Sequence, residues 1–479
     1  MTTTSTDPAP IPTPPLAQSP SARRRWAILA VVLAADILDL VDATITNIAA
    51  PAITEDLGGG PALIQWLGAS YALALGVLLV VGGRLGDRYG RRRLFLVGLA
   101  GFTLASLVCG LAPTPETLVA ARLAQGAFGA LVIPQGFGIL GATWPREHIG
   151  KAYSLFGPVM GLSAVGGPVL AGFLIDADLG GLGWRPMFLI NLVLGGAALL
   201  AAARLLPKDG GDPATSVDGP GSALLGAAML GLLAGLIEGS ANGWAAAPVL
   251  LIAAGLIAFA LFCRRQTTAR NPLIRPSLLR NRGFTSGLVL GVVFFAAVSG
   301  LLYVISLFLQ QGLGLSPSDT ALGLLPLSAG IVVASIACYG LIGRFGRTLV
   351  LAGLLITLTG TGWLLAQTAA TGTETGRWAL VPPLLVIGVG MGTCFGTVYD
   401  VTIGDIAPAE AGSASGSLSA VQQLANAVGA ATVTTVFFKT AGGGAGHAMT
   451  VSLAVVAGVT LLCVPLVRLL PRKAPEGQH

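Results

Sequence analysis

An all-α membrane protein is the fold class that this sequence predicts, and three observations carry the prediction. Mean hydropathy is +0.81, with 54% hydrophobic and only 10% charged residues, more apolar surface than an ordinary soluble chain of this length hides. Apolar runs of about 20 residues, the length at which a helix crosses a bilayer, recur at 26–48, 61–81, 94–111, 116–140, 151–173, 186–206, 221–238, 247–263, 284–309, 318–341, 348–368, 379–400, 413–438 and 447–469. Basic residues alternate from one connection to the next. One side collects 23 of the 27 Lys and Arg, the other only Arg185, Arg377 and Lys439. The positive-inside rule places the basic side, with both termini, in the cytoplasm.

Residues 1–22 are rich in Pro, Ser and Thr and read as a disordered cytoplasmic tail, with no cleavable signal peptide. The first run begins after Arg23, Arg24 and Arg25 and carries Asp36, Asp39 and Asp42. Their i, i+3, i+6 spacing puts three carboxylates within an arc of about 120°. Asp36 lies roughly 16 Å into the bilayer, where each carboxylate costs about 2.5–3.5 kcal/mol. Acids at such depth usually face a bundle interior or wet cavity and mark an ion or substrate path. The competing reading starts the helix later and leaves some of these acids near the headgroups.

The second run carries Gln65, Trp66, Ser70 and Tyr71 at its outer end, where Trp66 reads as an interfacial belt residue. In the connection Gly82–Phe95, glycines let two helix ends approach closely, Asp87 can cap a helix or pair with an arginine, and the arginines hold the segment in the cytoplasm. Arg122, in the fourth run, sits about 9 Å below the outer end. A buried guanidinium stays charged and needs an anion, and Asp42 reaches a similar depth from the other side, which makes it the expected mate. The alternative is Arg122 snorkelling to the headgroups. In the fifth run Gly157, Gly161, Ser163, Gly167, Ala171 and Gly172 form a small-residue face with bends at Pro158 and Pro168. Glu238 reads as solvated and Asp400 as interfacial.

Five cysteines lie within apolar runs without a CxxC pair, and the three histidines, His148, His447 and His479, are scattered. Neither disulfides nor a metal site is expected. There is no GxxxxGK[ST] phosphate loop, no soluble domain to hold one and no catalytic constellation in the short outer loops. The chain is not expected to be an enzyme.

Four motifs together resemble a known family. Gly83-x-Leu85-Gly86-Asp87-Arg88-x-Gly90-Arg91-Arg92 resembles the loop 2–3 signature of the major facilitator superfamily, with a fainter echo lacking the acid at Gly340-Leu-Ile-Gly343-Arg344-Phe-Gly346-Arg347. Arg122-Leu-Ala-Gln125-Gly126-Ala-Phe-Gly129 resembles its fourth-helix motif, and the fifth run resembles the motif of its exporters. Asp42-Ala-Thr44-Ile-Thr-Asn47-Ile-Ala-Ala-Pro51, taken with runs seven and eight, resembles its fourteen-span drug:proton antiporter branch. Ser163 and Ala171 stand where glycines are usual, and Ala50 where a larger apolar residue is.

The resemblance covers about residues 25–470. It implies a major facilitator fold of 14 transmembrane helices: six-helix bundles at 23–206 and 284–470 around a central pair at 221–263, cytoplasmic linkers at 207–220 and 264–283, and a cytoplasmic tail at 471–479. It implies a gating latch at Gly83, Asp87, Arg88, Gly90 and Arg91, and an antiporter packing motif at Gly157, Pro158, Gly167, Pro168 and Gly172. The buried charges supply the chemistry. Asp42, Arg122 and Asp39 would couple protons, and Asp36 with Asp39 would bind a substrate cation, because competition for shared carboxylates gives antiport. The expected protein is a proton-coupled exporter of lipophilic, cationic small molecules that confers drug resistance. It would lie in the bacterial inner membrane and function as a monomer, without cofactor or nucleic-acid partner, on the proton-motive force of about 2.3 kcal/mol per charge per 100 mV. A dedicated exporter of one metabolite or antibiotic, a proton-coupled importer and a non-transporting scaffold are the rivals.

Overall fold

A computed structural model describes residues 21–145, 152, 155–213, 217–269, 272–274, 276–403, 406 and 411–471. The described residues form helices joined by short turns, with no strand among them. The long helices are α1 (Ala22–Leu57), α2 (Gly60–Tyr89), α3 (Arg91–Gly110), α4 (Pro115–Thr143), α5 (Phe156–Asp176), α6 (Pro186–Leu205), α7 (Gly219–Asn242) and α8 (Ala246–Thr268). They continue with α9 (Arg282–Leu307), α10 in two pieces (Pro317–Gly323 and Leu325–Tyr339), α11 (Arg347–Thr371), α12 (Val381–Ile403), α13 (Ala411–Thr440) and α14 (Ala445–Leu466). Nearly all of the 1–22 and 471–479 tails lies outside the described residues, as do Arg146, Lys151, Arg270 and Arg275 from the basic connections.

Eleven helices among the described residues are long and apolar enough to cross a membrane. The eleven leave out α1, α5 and α13. Helix α1 carries the three aspartates, and α13 is interrupted by Ser, Gln and Asn. Helix α8 is the opposite case, apolar all round and mostly exposed, as suits a helix with lipid on most sides.

Local chemistry explains the ends. Thr114, Asp218, Asn281 and Ser316 each accept a backbone N–H at the start of α4, α7, α9 and α10, and three of them stand before a proline in the first turn. Helix α1 runs straight through Pro51, nine residues beyond the apolar run, and stops where Gly58 turns left-handed (φ 72°). Loop 2–3 is a correction to the sequence reading. Gly82 to Tyr89 are helical turns of α2, and the reversal falls on Gly90 alone, at φ 95°. Its echo behaves likewise: Gly346, at φ 44°, leads directly into α11.

Helices α1 to α6 pack mainly on one another, as do α9 to α14, and the α7–α8 hairpin rests on α2 and α13. At the end bearing the start of α1 (the near end), Ile28, Val32, Phe95, Val132 and Ile139 form a core without any residue from α9 to α14. At the far end one core runs from Ile45, Ile48 and Ile53 of α1 through Ala171 of α5 into Leu301 and Ile305 of α9 and Leu327 of α10. Polar contacts repeat the asymmetry. Ser306 donates to the Asn47 carbonyl at 3.2 Å, Gln65 to Thr435 at 3.3 Å, and the Ser318 N–H and hydroxyl both donate to Asp176. A Cβ on Gly172 would lie 2.6 Å from Ser318 Cα, so α5 and α10 touch backbone to backbone there. The two groups of helices are joined at the far end.

Candidate functional site

Helix α1 carries Asp42 into the middle of the first group of helices, where no part of its side chain is exposed. Asp42 pairs with Arg122 of α4 through Oδ2 and Nη1. Its Oδ1 accepts from Gln125 Nε2 and from Asn191 Nδ2 of α6, both at 2.8 Å. The guanidinium is equally enclosed. Nη1 also donates to Gln125 Oε1 at 2.8 Å, Nη2 to Thr46 at 3.2 Å and Nε to the Leu67 carbonyl at 3.4 Å, while Cζ lies 4.4 Å from the Tyr71 ring centre. Ser106 of α3 closes the set, accepting from Gln125 at 3.2 Å and Asn191 at 2.8 Å. Five helices, α1, α2, α3, α4 and α6, therefore meet in this ion pair and its partners.

Two charges removed from water are tolerated only when their remaining hydrogen-bonding capacity is met, and here nearly all of it is. The orphan is Asn191 Oδ1, buried and without a partner among the described residues. Arg122 also retains the Gln125, Thr46 and Leu67 oxygens and the Tyr71 ring face. Its charge is shared with neutral groups, so the pair can part without leaving the guanidinium bare.

One turn toward the near end, Asp39 accepts from the Tyr71 hydroxyl, and it lies so close to α4 that a Cβ on Gly129 would sit 2.9 Å from its Oδ1. Tyr71 thus touches both carboxylate systems, its oxygen on Asp39 and its ring on Arg122. Asp36, 9% exposed, makes no described hydrogen bond. The cluster holds one guanidinium against three carboxyls.

The structure brings Asp42 and Arg122 together, starts α1 at Ala22 and buries all three aspartates among the helices. Gln125 belongs to the fourth-helix motif. Asn191, Ser106 and Tyr71 join the site without belonging to any of the motifs, and of the three the amide inside the apolar run Phe188-Leu-Ile-Asn191-Leu-Val-Leu is the one that sequence can signal. Trp66 is partly buried and packs beside the cluster that α2, α7 and α13 share.

The latch residues lie elsewhere, at the near-end surface. Asp87 Oδ1 pairs with Arg91 at 3.0 Å, within the first group of helices, and Arg91 also donates to the Gly138 carbonyl at 2.7 Å. Close approach of α2 to α4 belongs to Gly82 and Gly86. A Cβ there would meet Ala130 O at 2.0 Å and Gln135 Oε1 at 1.7 Å, whereas at Gly83 it would find ordinary contact with Pro134 at 3.6 Å. On α5, Gly167 abuts Thr44 of α1 and Gly172 abuts Ser318, with Pro168 within the helix; the surroundings of Gly157 and Pro158 lie outside what is described. At the far surface the Trp184 indole, at 3.0 Å, and Arg185, at 2.8 Å, hold the Asp56 carboxyl below the ordinary carboxylate range.

Two groups of membrane-length helices, joined at the far end and with an ion pair buried among the helices of the first group, are the architecture of a multi-pass transporter. The chain belongs to the Major Facilitator Superfamily, whose family model matches residues 32–430. It is 44% identical over 427 residues to a "Probable actinorhodin transporter" of Streptomyces coelicolor, covering 88% of this chain and 73% of the relative. It is 34% identical to a "Tetracenomycin C resistance and export protein" of Streptomyces glaucescens, covering 85% of this chain and 75% of that one. A puromycin resistance protein of Streptomyces alboniger is 36% identical, at 88% and 83% coverage. Among solved structures, an auto-inhibited POT family peptide transporter superposes with a TM-score of 0.69 at 15% identity, covering 95% of this chain and 99% of that one. That likeness concerns the fold alone.

Proposed function

We propose that this protein is a proton-coupled exporter of lipophilic, cationic small molecules and confers resistance to a drug or antibiotic. The observation that carries the reading is the buried cluster of one guanidinium and three carboxyls. A carboxylate without a counter-charge is costly in low-dielectric surroundings, and taking up a proton or a cationic substrate relieves that cost. Asp42, with Arg122 beside it and Asp39 linked through Tyr71, carries the proton. Asp36 and Asp39, nearer the near end, receive the substrate cation. Binding of one disfavours the other, which is the condition for antiport.

The basic bias of the connections assigns the near end and both termini to the cytoplasm, in a bacterial inner membrane. Helices α1, α5 and α13 cross the bilayer with the eleven more apolar ones, giving fourteen spans. The bundles at 23–206 and 284–470 rock about the α7–α8 pair. The joined far end supports an inward-facing state, in which the Asp87 latch is released from the second bundle and held by Arg91. The transporter needs no cofactor beyond the proton-motive force and works as a monomer. The resistance and export proteins among the relatives support export over import. A second reading, a dedicated exporter of one endogenous antibiotic, is favoured by the 44% identity to a probable actinorhodin transporter.

Ethidium efflux from cells expressing the protein, with and without a protonophore, tests the proposal. Protonophore-sensitive efflux that is lost in Asp42→Asn, with the variant present at the membrane, is expected. Efflux equally strong in Asp42→Asn contradicts the coupling role.

A further inference from the structure

The segment after α6 is short, polar and exposed, and nothing in its composition sets it apart from a spacer. In the structure it is docked. Helix α3 begins at Arg91 directly after Gly90, which has no side chain to serve the free N–H groups of the first turn. Those groups are served from 118 residues further along the chain. Asp209 Oδ2 accepts from the Arg91 N–H at 2.5 Å, and Oδ1 from the Arg92 N–H at 3.1 Å. A carboxylate is the favoured group at a helix N-terminus, by hydrogen bonding and by charge. Beside it the Asp212 N–H donates to the Asp87 carbonyl at 2.8 Å. Gly211 lies flat against the same turn, where a Cβ would sit 2.0 Å from Arg88 O and 2.7 Å from Tyr89 N. Asp209, Gly211 and Asp212 thus bind the linker to the latch turn.

The other end of this linker is also tied. Asp218, six residues after Asp212, caps α7 through the Gly221 N–H at 3.0 Å and pairs with Arg265 of α8 at 2.7 Å. Six residues span at most about 20 Å when fully extended, so the hairpin cannot move far without pulling on the turn between α2 and α3. The hairpin itself touches both groups of helices through Ala69, Leu73, Met229, Leu233, Ala427 and Ala431.

We propose that Asp209–Asp212 is a clasp that fastens the inter-bundle linker to the latch turn, with Asp209 the residue that positions Asp87 and Arg91 for gating. The clasp rests on the transport reading above and adds to it. The linker sets the geometry of the latch and reports the position of the α7–α8 hairpin to it.

The test uses the full-length protein, purified and in liposomes, with Asp209→Ala, the conservative Asp209→Asn and the independent Gly211→Val. Loss of a helix cap should make the peptide holding the Arg91 and Arg92 amides exchange hydrogen about fivefold faster in Asp209→Ala. Proton-driven ethidium transport should fall about fivefold in kcat with KM unchanged. Asp209→Asn, which keeps one acceptor, should lie between, and Gly211→Val should match Asp209→Ala. Adding Asp209→Ala to Asp87→Ala should cost little more than Asp87→Ala alone, because both act on one latch. Unchanged amide exchange, a defect confined to KM, or losses that simply multiply in the double variant would overturn the clasp. Exchange is read without transport. A wild type that does not move ethidium therefore counts against the proposed substrate class, while faster exchange in Asp209→Ala still supports the docked linker.

Discussion

The two groups of helices differ most in the charge they bury. In α1 to α6, Asp42, Arg122, Gln125, Asn191 and Ser106 reach across helices and satisfy one another. In α9 to α14, buried hydroxyls such as Thr357, Thr397, Thr434 and Thr460 bond to the carbonyl four residues back on their own helix. Among the described residues, that second group buries no charged side chain. It offers instead an aromatic cluster of Phe294, Phe295, Phe395 and Tyr399, with ring centres 5.2–6.2 Å apart. Buried charge thus lies in the first half and clustered aromatic rings in the second. Under the proposed function, the first half would carry the coupling chemistry and the second would be the surface that moves against it.

The largest expected effect breaks this contrast at its centre. Arg122→Ala leaves Asp42 buried without its cation and should lower stability by about 3–5 kcal/mol. Thr434→Val removes only a self-satisfied hydroxyl and should stay within about 1 kcal/mol. Thermal unfolding of the two purified variants makes the comparison, and equal losses would erase the distinction. Asp36→Asn comes next. It should weaken binding of monocationic substrates about tenfold, or 1.4 kcal/mol, and leave uncharged analogues unaffected. Equal loss for both would move Asp36 from substrate to proton.

A smaller effect concerns the joined far end. Gly172→Val drives a side chain into Ser318 and should cost about 1–3 kcal/mol. At Gly166, whose Cβ would meet nothing within 4 Å, Ala should be tolerated. The smallest effect is at Asp56. Its carboxyl is held below the ordinary range when folded, so its contribution is complete above that range and is lost as pH falls from there through the lowered folded value. The acid-side fall in melting temperature should be shallower in Asp56→Asn, and an identical profile would mean that the Trp184 and Arg185 contacts of Asp56 add nothing to stability.

Much of this was legible in the sequence, and the exceptions share a cause. Apolar runs located the long helices because hydropathy and length are local properties. Asp42 and Arg122 could be matched because buried charges need partners and both lie at one depth. Helix ends were harder. The apolar run ends at 48, yet α1 continues through Pro51, because a proline inside a membrane bundle loses a hydrogen bond that its neighbours can make good. The break of α10 after Gly323 has a local signal, Pro326 in the first turn of the second piece, but it lies inside one continuous apolar run. Asn191, Ser106 and Asp209 escaped notice because their importance lies in what stands opposite them, which no spacing along the chain reveals.

Proton release by the purified protein in weakly buffered solution, triggered by a saturating cationic substrate, tests the coupling cluster most directly. The wild type should release protons on binding, and Asp42→Asn should bind the same substrate and release fewer. Equal release from both proteins would contradict the assignment of the coupling proton to Asp42.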